Sequence, residues 1–106
     1  MAENAIVVVA IFRAAEGKLD ALRTALVDSI PAVHDEDGCE LYAIHDAPDD
    51  TIYMLEKWTS VAALDAHGNG EPVRQLGERI SGLTTGPAEV IRMTPLPAGT
   101  PEQGLL

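Results

Sequence analysis

The strands predicted for this chain carry apolar side chains on both of their faces. The first strand, Asn4–Arg13, is apolar almost throughout and rich in β-branched residues. Because successive side chains of a strand point to opposite faces, Ile44 and Met54 share one face of a predicted hairpin, and Ala43 and Leu55 share the other. An antiparallel sheet with helices on one face usually keeps its other face polar. We therefore expect a homodimer in which two copies of the sheet pack face to face.

Hydrophobic periodicity predicts the element order β-α-β-β-α-β, which is that of a ferredoxin-like α+β fold with an antiparallel sheet. A leucine stripe predicts a first helix that begins at Lys18, and Pro31 is expected to end this helix or to open a second segment. Cys39–Asp46 alternates in polarity and Ile52–Trp58 returns beside it, so the two segments are expected to form a hairpin.

The second half of the chain is predicted to contain two short helices and a last strand. Ser60 is expected to cap a helix that runs to about Gly68, and Pro72 to begin another. Ala88–Thr94 is predicted to be the fourth strand. A chain of 106 residues forms one domain. We place this domain at residues 1–94 and expect an extended or mobile tail at 95–106, where proline and glycine are frequent.

The register of the predicted hairpin depends on the length of its loop. A loop of five residues gives the pairs Asp46–Ile52, Ile44–Met54, Tyr42–Glu56 and Glu40–Trp58. In this register Tyr42 lies beside Glu56.

Charge and cysteine content exclude several classes of protein. The net charge is −10, from 17 acidic and 7 basic residues. Binding to nucleic acid or to an anionic membrane surface needs clustered Lys and Arg, so neither is expected. The apolar run Ala5–Phe12 is too short to cross a bilayer and lacks the flanks of a signal peptide. The one cysteine, Cys39, permits no intrachain disulfide, and a cytoplasmic location is expected.

Trp58 and His67, which flank a predicted strand–helix junction, are the first candidates for a small-molecule site. Trp58 is the only tryptophan of the chain, and an indole offers an aromatic wall with one N–H donor. An imidazole can act as a general base or as a donor near neutral pH. Tyr42 is a third candidate, as a donor to a substrate oxygen. Arg74 is the fourth, as the charge that neutralises an oxyanion.

No metal and no cofactor are expected. The three histidines lie on different predicted elements, without the spacing of a metal site. The acidic runs at 35–37 and 49–50 lack the spaced ligands of a calcium loop and are expected to be solvated turns. No nucleotide-binding motif is present. If Glu56 is buried, its expected partner is the backbone or an arginine, because an unpaired buried carboxylate is costly.

Four short motifs, taken together, resemble the antibiotic biosynthesis monooxygenase family. They are Gly17-Lys18, Glu36-x-Gly38-Cys39, Glu56-x-Trp58 and Ala63-Leu64-x-x-His67, and the similarity spans about residues 5–93. The resemblance implies a dimeric α/β barrel and matches Trp58, His67 and Glu56 to family positions. At Met54 the sequence departs from those monooxygenases of the family that have an asparagine there.

The resemblance implies three kinds of activity. The first is a monooxygenase that oxidises a quinol or polycyclic phenol with molecular oxygen and no cofactor. Such a substrate becomes reactive on losing a proton, so the protein needs a base, an apolar pocket and donors for the anion. The alternatives are a non-oxidative small-molecule isomerase or binding module, and a haem-degrading or haem-binding protein. The expected partners are a second copy of the chain, a small aromatic substrate and oxygen.

Overall fold

A computed structural model describes residues 4–106, in which four strands form one antiparallel sheet. The elements are β1 (Ile6–Arg13), α1 (Leu19–His34), β2 (Cys39–Ala47), β3 (Thr51–Trp58), α2 (Val61–Gly68), α3 (Glu71–Ile80), β4 (Glu89–Met93) and α4 (Pro101–Gly104). The strand order is β2-β3-β1-β4. This topology confirms the predicted ferredoxin-like α+β fold.

The hydrophobic core lies between one face of the sheet and helices α1, α2 and α3. Its most deeply buried side chains are Val8, Leu22, Leu26, Val33, Ile52, Met54 and Trp58. The three members on β3 are separated by even numbers of residues, as the period of a strand requires. Full burial of an aliphatic side chain stabilises the fold by about 1.5–3 kcal/mol, so a core with few aromatic residues is sufficient.

The hairpin formed by β2 and β3 has the predicted register over most of its length. Tyr42 pairs with Glu56, and the pairs expected nearer the turn also form. The prediction for Glu40 is wrong, because a bulge between Cys39 and Leu41 makes Cys39 the partner of Trp58. A bulge adds one residue to one strand and shifts the pairing beyond it, which a count from the turn does not reveal.

Pro31 lies inside α1, and it neither ends the helix nor opens a second segment, contrary to both predictions made for it. The helix continues to His34 in a single segment. Proline removes the hydrogen bond to the carbonyl four residues earlier, here that of Val27. Both residues lie on the exposed side of the helix, where water can bind the carbonyl that Pro31 leaves unbonded.

The face of the sheet opposite the core is apolar, as predicted, and part of it is exposed. Val9 lies at its centre, between Leu55 on one side and Ile91 on the other. Ile91 keeps 42% of its surface exposed, and Tyr53 and Met93 on the same face keep 38% each. This face is the candidate surface for a second copy of the chain.

The chain after β4 has no regular structure until the single turn of α4. Thr100 caps this turn, because its side chain accepts a hydrogen bond from the backbone N–H of Gln103. The division of the chain at residue 94 stays a prediction, and residues 1–3 of the predicted domain lie outside the described part. Between residues 4 and 106, no helix has both the length and the apolar character needed to cross a membrane.

Candidate functional site

A cavity of about 260 Å³ lies between the sheet and α3, with the end of α2 at its side. Three of its lining side chains are polar, namely Tyr42, Glu56 and His67. The other lining residues are Val8, Phe12, Gly68, Val73, Leu76, Gly77, Ile80, Ala88 and Val90. A concave, mainly apolar cavity with a few convergent polar groups is the usual form of a small-molecule site.

The hairpin register places Tyr42 and Glu56 side by side on the face of the sheet that the helices cover. Only 4% of Tyr42 and 5% of Glu56 is exposed. Burial raises the pKa of Tyr42, and the nearby carboxylates of Glu56 and Glu36 raise it further. Tyr42 therefore keeps its proton at neutral pH and can donate it in a hydrogen bond to a ligand oxygen.

Trp58 donates a hydrogen bond to Glu56. Both residues point to the same face of β3 because they are two positions apart, and Trp58 Nε1 donates a hydrogen bond of 2.9 Å to Glu56 Oε1. Burial raises the pKa of Glu56 above its ordinary value, although the bond from Trp58 acts in the opposite direction. Burial thus makes the Glu56 carboxyl group a weaker acid than an exposed glutamate.

Helix α2 places His67 over Trp58. Ser60 caps this helix, because its side chain accepts a hydrogen bond of 3.1 Å from the N–H of Ala63. Leu64 and His67, three residues apart, form the buried side of the helix. The ring centres of His67 and Trp58 are 4.5 Å apart with planes inclined by 31°, and the ring of Tyr42 meets His67 edge-on at 5.4 Å.

Glu36, in the loop between α1 and β2, fixes the orientation of the His67 ring. His67 Nδ1 lies 3.1 and 3.2 Å from the two carboxylate oxygens of Glu36. A carboxylate only accepts hydrogen bonds, so Nδ1 carries the proton, and Nε2 is left as an acceptor in the neutral ring.

Gly38 lets this loop approach α2. Its φ is +83°, and an added Cβ would lie 2.6 Å from the Cβ of Ala63 and 2.7 Å from Thr59 Oγ1. A side chain at this position would be strained in the backbone and would collide with α2. Glycine at position 38 therefore keeps the loop of Glu36 close to His67.

Three polar atoms of the cavity wall have no hydrogen-bond partner within the described chain. They are the Tyr42 hydroxyl, the second carboxyl oxygen of Glu56 and His67 Nε2. No fully buried side-chain nitrogen or oxygen between residues 4 and 106 lacks a partner, so each of these atoms must reach accessible space, and all three residues line the cavity. Buried polar groups are normally hydrogen-bonded. A ligand with hydroxyl or carbonyl oxygens would supply the missing partners.

Most residues of this site lie in a segment that matches a known protein family. The family model described as antibiotic biosynthesis monooxygenase matches residues 5–79, more than half of the chain. The chain belongs to the antibiotic biosynthesis monooxygenase family. The matched segment contains Glu36, Tyr42, Glu56, Trp58 and His67, and it confirms the resemblance seen in the sequence motifs. No curated protein matches the chain in sequence.

Solved structures of similar shape come from several bacteria. The protein Rv0793 from Mycobacterium tuberculosis is 27% identical, with a TM-score of 0.81 over 91% of this chain and 99% of that one. SO0527 from Shewanella oneidensis is 29% identical, with a TM-score of 0.77 over 86% and 90% of the two chains. PA3566 from Pseudomonas aeruginosa is 24% identical, with a TM-score of 0.81 over 91% and 98%. The ferredoxin-like fold of the antibiotic biosynthesis monooxygenase family is therefore retained at low sequence identity.

Arg74, a candidate from the sequence, is not among the residues that line the cavity. It lies on the exposed side of α3 and is paired with Glu71 and Glu78. These bonds raise the pKa of Arg74 and lower the pKa of Glu71 to about 2. Glu71 lies three residues before Arg74 and Glu78 four residues after it, which is the spacing of ion pairs on a helix. The sequence alone therefore indicated that Arg74 could pair on the helix surface.

Trp58 also lies outside the cavity wall, behind His67. It is fully buried, and its N–H bonds to Glu56. The expectation of a backbone or arginine partner for Glu56 is thus wrong, because the indole is the donor. In this member of the antibiotic biosynthesis monooxygenase family, Trp58 packs against His67 and bonds to Glu56, and the polar residues that line the cavity are its neighbours.

Sequence reasoning missed Glu36, which it assigned to a solvated turn. The side chain of Glu36 is 19% exposed and pairs with a residue 31 positions away. Its available signal was the motif Glu36-x-Gly38-Cys39, which placed an acidic residue just before a glycine turn. Among residues 4–106, no cluster of three or more His, Cys, Asp or Glu is arranged to hold a metal ion.

Proposed function

We propose that the protein is a cofactor-independent monooxygenase that oxidises a quinol or polycyclic phenol with molecular oxygen. The observation that carries this proposal is the group of three unpartnered polar atoms, on Tyr42, Glu56 and His67, in an apolar cavity. All three residues line one mainly apolar cavity, which can hold an aromatic ring that carries oxygen substituents. Membership of the antibiotic biosynthesis monooxygenase family supports the same reaction class.

His67 is the base of the proposed reaction. Its Nδ1 is hydrogen-bonded to Glu36. Its Nε2 has no partner in the described chain. Nε2 takes the proton of the substrate hydroxyl, and the positive charge that develops on the ring is stabilised by the Glu36 carboxylate. Loss of this proton makes the aromatic ring electron-rich enough to react with oxygen.

The donors of the cavity stabilise the anion formed in this step. Tyr42 keeps its proton because burial raises its pKa, so it can donate a hydrogen bond to the phenolate oxygen. Burial also raises the pKa of Glu56, and the protonated form of this side chain can donate to a second oxygen on the ring. Donors held in place within an apolar site are more effective than water, because they need no reorganisation.

The oxidation step balances without an external reductant. The anion gives one electron to oxygen, and the resulting radical pair combines to form a C–O bond to a peroxide. Cleavage of the O–O bond leaves one oxygen atom on the ring as a new carbonyl group. The second oxygen atom leaves as water with the two hydrogens that the substrate loses. The apolar wall excludes bulk water from these intermediates.

An isomerase is the second candidate, and one observation favours it. His67 and Glu56 line the same cavity, and both carry groups that can exchange a proton with a bound compound. Such a pair can move a proton between two positions of a carbonyl compound by way of an enol. This reaction would consume no oxygen.

Oxygen consumption separates these functions. Chelator-treated protein is supplied with a panel of hydroquinones and anthrones, and uptake is measured against the His67→Gln variant and against buffer. The proposal predicts turnover of at least one compound, with kcat about 10²–10⁴-fold lower in the variant. Turnover without oxygen uptake would indicate the isomerase. A Soret band on adding haem would indicate a haem protein, and the absence of turnover with every compound would contradict the monooxygenase.

We also propose that the protein acts as a cytoplasmic homodimer. The support is the apolar face of the sheet on which Tyr53, Ile91 and Met93 stay exposed. A contiguous apolar surface of this kind marks an interface in most soluble proteins. A second copy of the same sheet is a self-complementary partner for it.

A further inference from the structure

Two glycines at the mouth of the cavity have no structural reason to be glycine. Gly68, the last residue of α2, and Gly77, in α3, both line the cavity and are both exposed. Neither has a positive φ, and a Cβ added at either position would meet no atom within 4 Å. An alanine would therefore fit both the backbone and the space.

Most other glycines of the chain are explained by the fold. A positive φ occurs at Gly17, Gly38, Gly82 and Gly99. An added Cβ at Gly70 or Gly104 would crowd the backbone of a neighbouring segment. Gly86 is the remaining one, and it lies in open space away from the cavity. Gly86 thus shares with Gly68 and Gly77 their exposure and the open space for a side chain, but it lies in a loop and does not line the cavity.

Gly77 is the more informative of the two because it lies inside a helix. Apart from proline, glycine is the residue least favourable to a helix interior. It belongs to the stripe of α3 that faces the cavity, together with Val73, Leu76 and Ile80. Gly77 destabilises the helix, and its position would leave room for a side chain. The best explanation for glycine here is that it leaves space at the cavity.

We propose that Gly68 and Gly77 keep the cavity mouth open, so that a fused-ring ligand too long for the cavity extends between α2 and α3. This inference rests on the proposed function, since the hydroxyl end of the ligand is placed at His67. A cavity of roughly 150 Å³ is enough to hold benzene, and the cavity here measures about 260 Å³. One ring is therefore enclosed with room to spare, whereas a three-ring phenol extends into the mouth.

Calorimetric titration with phenol and with 9-phenanthrol tests this inference. The variants are Gly68→Leu and Gly77→Leu, with Gly86→Leu as the matched control. We expect each mouth variant to weaken 9-phenanthrol binding by about tenfold or more while phenol affinity changes less than about twofold. The control is expected to change neither affinity.

The Gly77→Ala variant keeps the test valid if a leucine variant fails to fold. Alanine favours the helix, so its melting temperature should equal or exceed that of the wild type, and its loss of affinity should again be larger for 9-phenanthrol than for phenol. Equal losses of affinity for both ligands, or no loss for either, would contradict the role of the glycines but would leave the proposed function standing. If the wild-type protein binds neither phenol, the aromatic-ligand site and the proposed function are wrong together.

Discussion

His67 Nδ1 lies 3.1 Å from Glu36 Oε1, although the two residues are 31 positions apart in the chain. One comes from helix α2 and the other from the loop after α1, and Gly38 permits the close approach of the two segments. The pair leaves the second ring nitrogen as an acceptor that faces an apolar cavity. Orientation of an imidazole by a carboxylate is the arrangement found in catalytic triads.

Removal of the Glu36 carboxylate should disorient the His67 ring and lower activity. We expect Glu36→Leu to reduce kcat by about 10²-fold, which is within the range for general-base catalysis. Glu36→Gln keeps an acceptor for Nδ1–H and should retain more activity. Nitrogen-15 NMR of the imidazole reports the tautomer directly, with the proton on Nδ1 in the wild type. A wild-type ring protonated at Nε2 alone would contradict this role of Glu36.

Stability should depend on pH through Glu56. Burial raises its pKa in the folded protein, so the folded state binds this proton more tightly than the unfolded state does. The resulting stabilisation is present below the unfolded pKa and is lost as the pH rises through the folded pKa. Glu56→Gln stays neutral and keeps an acceptor for Trp58. The stability of the variant relative to wild type should therefore increase with pH.

Urea denaturation at several pH values between 4 and 8 measures this dependence, with the wild type as the reference at each pH. The difference between the two proteins isolates Glu56, because all other titrating groups are shared. A variant whose relative stability falls as the pH rises would show that Glu56 is held as a stabilised carboxylate.

Arg74→Ala should leave catalysis almost unchanged, since the guanidinium pairs with Glu71 and Glu78 on the solvent side of α3. We expect kcat/KM within about twofold of wild type, as for most surface substitutions. Tyr42→Phe is the comparison, because it removes a hydroxyl on the cavity wall and should lower kcat/KM by more than Arg74→Ala does. If the arginine variant shows the larger loss, Arg74 must reach the substrate in a conformation that differs from this one.

A charge placed on the exposed sheet face should separate the homodimer. Leu55 lies beside Val9 near the centre of this face, so Leu55→Glu would bury a carboxylate in an apolar interface, which is strongly unfavourable. Analytical ultracentrifugation at micromolar concentration should show a dimer for the wild type and a monomer for the variant. Asp49→Glu, in the hairpin turn, is the control and should stay dimeric. A monomeric wild type would refute the dimer.

Local patterns were sufficient to predict the fold and part of the site. A loop of five residues between β2 and β3 predicted that Tyr42 lies opposite Glu56, and the structure pairs them. Ser60 was predicted to cap α2 and does so, which fixes the side of the helix that buries His67. Both predictions depend on residues close together in sequence or on a period that a single strand or helix imposes.

Contacts between distant segments were not predictable in the same way. The pairing of Glu36 with His67 depends on how α1, its loop and α2 pack, and an acidic run in a turn carries no information about that packing. The bulge at Cys39 changes the register without a signal from glycine or proline. Pro31 stays inside α1 because the affected turn is exposed, and exposure is a property of the tertiary structure.

A crystal structure with bound 1-naphthol tests the central claim most directly, since that claim assigns the cavity beside α3 to an aromatic hydroxyl compound. We expect the naphthol rings to occupy the cavity, with the hydroxyl oxygen within about 3.2 Å of His67 Nε2. Tyr42 or Glu56 should also lie within hydrogen-bond distance of that oxygen. An empty cavity at saturating naphthol, or a bound naphthol whose hydroxyl points away from His67, would contradict it.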